Sequence, residues 1–366
     1  MPKSFNIILV VGARPNFIKI APLVIELENK RLNVELVHTG QHWDEKLSNQ
    51  IFDDLNLREP DIHLETPQGT MNSQLGFMIQ KFDFHFANSD NDTIVGVVGD
   101  VTSTLAAAIS AKNAGKFVFH IESGLRSRNL GMPEERNRIM VDQISDICFA
   151  PSKDAVQNLL NENVDKERIS LVGNIMMDSL FKNIKKIELA YKKIKPMYGI
   201  DRDFFITTLH RDENIHKDNL KEIFTALNEF SENYDIILPA HPRLKKFVES
   251  ESINIGKINF VDSLPYIEFL SLVMNAKVCL TDSGGLQEET SVLGIPCLTL
   301  REETERPITV ELGTNTVVGT KKEDIIKSIK LLLKAGDYKK MKADLWDGNT
   351  SSRIVKELME RVNGKI

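Results

Sequence analysis

Three cysteines, two tryptophans, no surplus of positive charge and no long apolar run set the first limits on this 366-residue chain. Cys148, Cys279 and Cys297 are odd in number and each sits inside an apolar run, which suits reduced core thiols rather than a disulfide framework. Neither Cys-x-x-Cys nor His-Glu-x-x-His occurs, and the histidines are too widely spaced for a metal-ligand pattern. A formal net charge of −6 argues against nucleic acid as the main partner, since the phosphate backbone calls for a basic surface. No apolar stretch approaches the roughly 18 residues of a membrane span. The first apolar run, 7–11, meets Gly12-Ala13-Arg14-Pro15 at once and reads as a β-strand, not a signal-peptide core. G-x-G-x-x-G and the P-loop signature are also missing, which weighs against NAD and ATP. The expectation is a cytoplasmic, soluble protein without metal, nucleic acid or membrane partner.

What is present is an ordinary globular composition, 42% hydrophobic and 27% charged, in a chain long enough for two domains. Short apolar runs alternate with amphipathic segments. Strands are expected at 6–11, 34–38, 93–99, 117–121 and 147–150, then at 204–209, 235–238, 259–261, 278–281 and 296–300. Helical patterns at 18–27, 103–114, 137–144, 219–230, 266–275 and 286–293 fall between them. Strands apolar on both faces and joined by helices imply an α/β fold: two Rossmann-like domains of parallel sheet flanked by helices. A Lys-rich helix over 178–195 marks the seam. The expected division is 1–174 and 175–349, with a terminal helix at 350–366 returning to the first domain.

Ligands of open parallel sheets bind at the carboxyl ends of the strands. Arg14, Asp100, Glu122, His210, His241 and Ser283 all follow strands, although loops are polar in any case. In Thr281-Asp282-Ser283-Gly284-Gly285, a strand ends, Ser or Asp can cap a helix, and two glycines allow close approach to the backbone. Such a helix end favours phosphate, and the same residues also make a plain capped turn. Gly12-Ala13-Arg14-Pro15 likewise opens a helix, with Lys19 within reach of the same anion. Asp100, Glu122 and the Glu134-Glu135 pair can supply acid and base for a proton transfer, or serve as caps and salt-bridge partners.

Taken together, these stretches resemble the non-hydrolysing UDP-N-acetylglucosamine 2-epimerases. The matching blocks run from Gly12 to Gly319 and include His38-Thr39-Gly40-Gln41-His42, Gly99-Asp100, 120–126, 132–138, 210–214, 282–289 and Thr304-Glu305-Arg306-Pro307. The resemblance implies a glycosyltransferase-B fold, a homodimer, and interconversion of UDP-GlcNAc and UDP-ManNAc without a redox cofactor. It makes Asp100, Glu122, Glu134 and His210 catalytic. Arg14, Lys19, Arg138, Arg211, Ser283, Gly284, Gly285, Glu289 and Arg306 become substrate ligands, mostly of the UDP moiety.

Some residues depart from the family pattern. Asn16-Phe17 stands where many members have Glu-Ala, Ser123 replaces a frequent Ala, and Arg136 follows the glutamate pair where an apolar residue is common. The link from Arg126 to Pro133 is short. The stretch 66–75 does not match the segment that, with Gln41 and His42, binds an activating second UDP-GlcNAc in some relatives. The same features resemble the branch acting on UDP-2,3-diacetamido-2,3-dideoxyglucuronate. Three other readings compete: a hydrolysing epimerase releasing ManNAc, a glycosyltransferase on the same fold, and an inactive sugar-nucleotide binder, which the intact acidic set disfavours.

Overall fold

The structure, a computed structural model, describes residues 5–40, 45–336 and 338–365. Gln41 and His42, two residues of the resemblance, lie outside them. The chain forms two compact units, residues 1–182 with 344–366, and residues 183–343. The division falls inside the helix Ile175–Met197, further along than the expected 174, and the chain returns to the first unit before residue 350.

In the first unit, seven parallel strands are β1 Asn6–Val11, β2 Asn33–His38, β3 Ile62–His63, β4 Ile94–Val98, β5 Phe117–Ile121, β6 Ile147–Ala150 and β7 Ile169–Leu171. Their spatial order is β3-β2-β1-β4-β5-β6-β7. β1 reads Asn-Ile-Ile-Leu-Val-Val and is buried on both faces from Ile7 onward, as helices on either side of a parallel sheet require. One core face joins Ile8, Val10 and Val95 to Met78, Phe82 and Phe86 of the helix Met71–Ala87.

The C-terminal helix Thr350–Lys365 is fastened to this unit by Asp178. This fully buried carboxylate accepts from Thr350 N at 3.0 Å and from Ser351 N and Oγ, both at 2.7 Å. It does for this helix what an N-cap side chain does locally, from a distant segment. Trp346 Nε1 donates to Pro151 O at 2.9 Å and pins the approach.

The second unit has six parallel strands: β8 Phe204–Thr208, β9 Asp235–Ala240, β10 Asn259–Asp262, β11 Val278–Thr281, β12 Cys297–Thr299 and β13 Asn315–Val317. Their order, β10-β9-β8-β11-β12-β13, repeats the arrangement of the first unit's leading six strands. Phe205, Leu238, Leu280 and Leu298 pack with Leu220 and Phe224 of the helix Lys217–Asn228. Cys148, Cys279 and Cys297 are buried free thiols in β6, β11 and β12. Burial pushes the Cys148 thiol up to about 12. Among the described residues no helix is long and apolar enough to cross a membrane.

In each unit the strand order reverses beside the first strand, between β1 and β4 and between β8 and β11. The carboxyl ends of these pairs are the switch-point crevices where open α/β sheets take their ligands.

Candidate active site

The first unit's crevice is built by three turns. β1 is followed by Gly12, where a Cβ would lie 1.7 Å from Ser103 Oγ, so only glycine fits. The helix Arg14–Asn29 follows, with Pro15 in its first turn. Asn16, buried, accepts from Gly12 N at 3.2 Å and Ala13 N at 3.0 Å and donates to Val98 O at 3.3 Å. It staples the ends of β1 and β4 together. Lys19, one turn later, is also buried and forms an ion pair with Glu122.

Glu122 follows β5 with φ of +70°. A non-glycine residue there costs on the order of 1–3 kcal/mol and persists only where its surroundings hold it. Asp100 follows β4 and pairs with the buried Arg138, while Asn137 Nδ2 donates to Asp100 O at 2.9 Å. Asn137 and Arg138 belong to the helix Pro133–Ile144. Each of the two carboxylates thus has a buried cation beside it.

The Glu134 side chain is half-buried and makes no hydrogen bond or ion pair among the described residues. Its neighbour Glu135 is buried and accepts from Ser127 N, Ser127 Oγ and Arg128 N at 2.8–3.0 Å. It also pairs with Arg138 at 2.9 Å. Glu135 therefore closes the loop before the helix and aims Arg138 at Asp100, a role residue type and spacing alone left undivided between the two glutamates.

The second unit's crevice centres on Asp282, just after β11. The sequence suggested Ser283 or Asp282 as a helix cap. Instead, the helix Gly284–Leu293 has no side-chain cap, and Ser283 N donates back to Thr281 Oγ1 at 2.9 Å. Asp282, fully buried, faces β8 and accepts from His210 N and Arg211 N, both at 3.0 Å, and from Asn214 Nδ2 at 3.2 Å. Its other oxygen takes His210 Nδ1 at 2.6 Å. Burial alone would raise the Asp282 carboxyl; His210 and these N–H donors outweigh it and hold the group below its usual range. The His210 ring, about half exposed, is thereby fixed with Nε2 outward.

Above the uncapped helix end lies Arg306. A Cβ on Gly284 would sit 2.3 Å from Arg306 Nη1, so the glycine lets the guanidinium close over the first turn. Arg306 pairs with Glu305 at 2.7 Å and with Glu288 at 3.0 Å. Glu305 also holds Arg301 at 2.6 Å and Arg211 at 3.2 Å, so one buried carboxylate ties three guanidinium groups to this corner. Glu289 is buried behind the same helix and accepts from Tyr266 Oη at 2.8 Å. Burial pushes its carboxyl up to about 8; the Tyr266 hydrogen bond opposes this and the Glu288 charge adds to it. Among the described residues no cluster of three or more His, Cys, Asp or Glu side chains is disposed to hold a metal ion.

The sequence-expected residues therefore gather at two switch points: Arg14, Lys19, Asp100, Glu122, Glu134 and Arg138 in one unit, and His210, Arg211, Ser283, Gly284, Gly285, Glu289 and Arg306 in the other. Paired Rossmann-like units with their polar residues at both switch points define an α/β protein of the glycosyltransferase-B type. Within that class, the family model described as UDP-N-acetylglucosamine 2-epimerase matches residues 25–359, and the chain belongs to that family. The UDP-N-acetylglucosamine 2-epimerase of Methanocaldococcus jannaschii is 38% identical, over 96% of this chain and 98% of its own. A crystal structure of that organism's enzyme in complex with UDP-GlcNAc and UDP aligns at a TM-score of 0.88 and 36% identity, covering 96% of this chain and 99% of the other. The UDP-2,3-diacetamido-2,3-dideoxy-D-glucuronate 2-epimerase of Pseudomonas aeruginosa is 35% identical, over 98% of this chain and 100% of its own.

Proposed function

We propose that the protein interconverts UDP-GlcNAc and UDP-ManNAc by inverting C2 of the sugar without hydrolysis. The proton on C2 has no adjacent ring carbonyl, so direct abstraction is very slow. Anti elimination avoids the difficulty. The C1–O bond breaks with its electrons leaving on UDP while a carboxylate takes the C2 proton, and a 2-acetamidoglucal remains. UDP adds back to C1 as a proton arrives at C2 from the opposite face. The chemistry calls for carboxylates at the sugar and cations or N–H donors at the diphosphate.

The observation that carries this reading is the uncapped N-terminus of the helix Gly284–Leu293 beneath Arg306. Its first-turn N–H groups and the guanidinium favour a diphosphate, as leaving group and as returning nucleophile. Ser283, Gly284, Gly285 and Arg306 are assigned to that diphosphate, with Arg14, Lys19 and Arg211 as further cations and Glu289 on the ribose. Asp100, Glu122 and Glu134 are assigned to the C2 proton, with Arg138 supporting Asp100 and His210 contributing from its Asp282-held ring. The same reading takes the working enzyme as a cytoplasmic homodimer.

Incubation with UDP-GlcNAc in heavy water, followed by NMR, tests the proposal. The expected result is deuterium at C2 and appearance of UDP-ManNAc. Free ManNAc identifies a hydrolysing enzyme and overturns the retained-UDP route. The 35% identity to the P. aeruginosa enzyme makes UDP-2,3-diacetamido-2,3-dideoxyglucuronate the substrate to offer in parallel. Asp100→Asn is expected to abolish exchange while UDP still binds; unchanged turnover removes Asp100 from the chemistry.

A further inference from the structure

Behind the first unit's acidic turns lies a polar pair that touches no solvent. His120, in β5, and Asp142, near the end of the helix Pro133–Ile144, are both fully buried. His120 Nε2 meets the carbonyl oxygen of Gly99 at 2.8 Å, and its Nδ1 meets Asp142 Oδ1 at 2.7 Å. Asp142 Oδ2 accepts from Gly124 N at 3.1 Å and pairs with Arg126 Nη2 at 2.8 Å. Arg126 continues to Glu162 at 2.6 Å. Burial raises the Asp142 carboxyl, but His120 and Arg126 more than offset it and hold the group below its usual range. Gly99 O can only accept, so the ring donates to it from Nε2.

The contacts of this pair are not scattered. Gly99 is the residue before Asp100, and Glu122 lies between His120 and Gly124, both held by Asp142. The turn they close is one that does not hold itself: Gly99, Glu122 and Gly124 have φ of +69°, +70° and +84°. Ser123 Oγ adds a bond to His120 O at 2.8 Å. A pair serving only to fill space needs no charge, because apolar residues of equal volume serve a core as well or better.

We propose that His120 and Asp142 are positioning residues for the reaction, a buried tie that fixes the Asp100 turn and the Glu122 turn at one spacing. Neither side chain reaches substrate. They act through the two carboxylates, and the inference rests on the epimerase reading for its catalytic consequence. Helix Pro133–Ile144 then holds both turns from one element, Asp100 through Asn137 and Arg138 and Glu122 through Asp142.

The test is Asp142→Ala in the full-length protein, which removes the acceptor shared by His120 Nδ1, Gly124 N and Arg126 Nη2. The expected result is a fall in kcat of roughly a hundredfold, the scale of a 1 Å misplacement. Deuterium incorporation at C2 should fall in proportion, with KM and UDP affinity within about threefold of the parent. His120→Gln and His120→Asn guard against a variant that does not fold: the first amide replaces Nε2 and keeps the Gly99 tie, the second replaces Nδ1 and keeps Asp142. Each loses one tie, and kcat is expected to fall in both. A folded variant of any of the three with parental kcat overturns the proposal, as does a loss carried by KM alone. If the parent itself turns over no UDP-sugar, the epimerase reading fails and amide exchange judges the tie. Joint loss of protection in segments 97–104 and 119–126 of a variant supports it, and loss in one alone refutes it.

Discussion

Glu289 is expected to make the second unit less stable as pH rises across neutrality, and Glu289→Gln to remove that dependence. The carboxyl is buried on the inner side of the helix Gly284–Leu293, with Tyr266 Oη at 2.8 Å and the Glu288 carboxylate next along the chain. Burial moves it from an ordinary 4.5 to about 8. At about 1.4 kcal/mol per pH unit, ionising it in place costs on the order of 5 kcal/mol more than in the unfolded chain. The folded value lies above the unfolded one, so the folded state binds more protons between them. The stabilisation is complete below about pH 4.5, declines as pH climbs, and is gone above about pH 8. Glutamine keeps an acceptor for Tyr266 and cannot ionise. Parent and variant should match near pH 4.5, and the variant should be the more stable at pH 9.

Indole fluorescence is the wrong probe, because tryptophan occurs only at Trp43 and Trp346, outside residues 183–343. Amide exchange of the segment 284–293 reads the right unit. Under conditions where reclosing outpaces exchange, the ratio of parent to variant rates at one pH cancels the intrinsic chemistry. That ratio should grow from a few at pH 5 to on the order of a few thousand at pH 9, which is the free-energy difference restated. A ratio that stays constant over this range refutes a neutral Glu289. Added UDP should lower the apparent effect at high pH if ribose hydroxyls donate to the carboxylate, since binding then favours the ionised form.

Gly284→Ala places a Cβ 2.3 Å from Arg306 Nη1 and 2.8 Å from Glu305 Oε1. The guanidinium must swing away, at roughly 1–3 kcal/mol, and titration calorimetry should show UDP binding weakened about tenfold or more. Parental affinity would separate Arg306 from the diphosphate. Asp178→Asn replaces a buried acceptor of three donors at the start of the C-terminal helix. A loss of roughly 1–3 kcal/mol is expected, read as a lowered melting temperature by indole emission, because Trp346 belongs to the fastened segment. An unchanged melt would mean that the helix is held by its apolar face alone.

The elements legible in the sequence are those whose burial is nearly complete. β5, β11 and the helix Tyr266–Asn275 fall at the expected residues because apolar side chains dominate each of them. β3 and β13 have two and three residues, too few to show a period. The helix Met71–Ala87 buries only Met78, Phe82 and Phe86, a narrow stripe that a reading of apolar runs passes over. Parallel topology did the rest, because every strand must present its carboxyl end to the same side. Residues just after strands are therefore the site candidates that a strand pattern shows.

What the strand pattern left open is which way each polar side chain turns, and one rotation of phase reverses a role. On the helix that starts at Pro133, residues 135, 138 and 142 recur at three and four and so share one face. That face is turned inward, so Glu135, Arg138 and Asp142 are buried and tie neighbouring loops together, while Glu134, one residue off phase, is left half-exposed. The spacing was present in the sequence; what was missing was the fact that a charged stripe can be the buried one. Asp282 follows the same logic at a strand end. The residue after Thr281 is likewise turned into the interior, where two backbone N–H groups and a histidine await it. It therefore aims His210 instead of capping a helix, and the N–H groups it leaves uncapped lie beneath Arg306. Ser283, the N-cap itself, makes no side-chain cap bond either, so the helix end stays open.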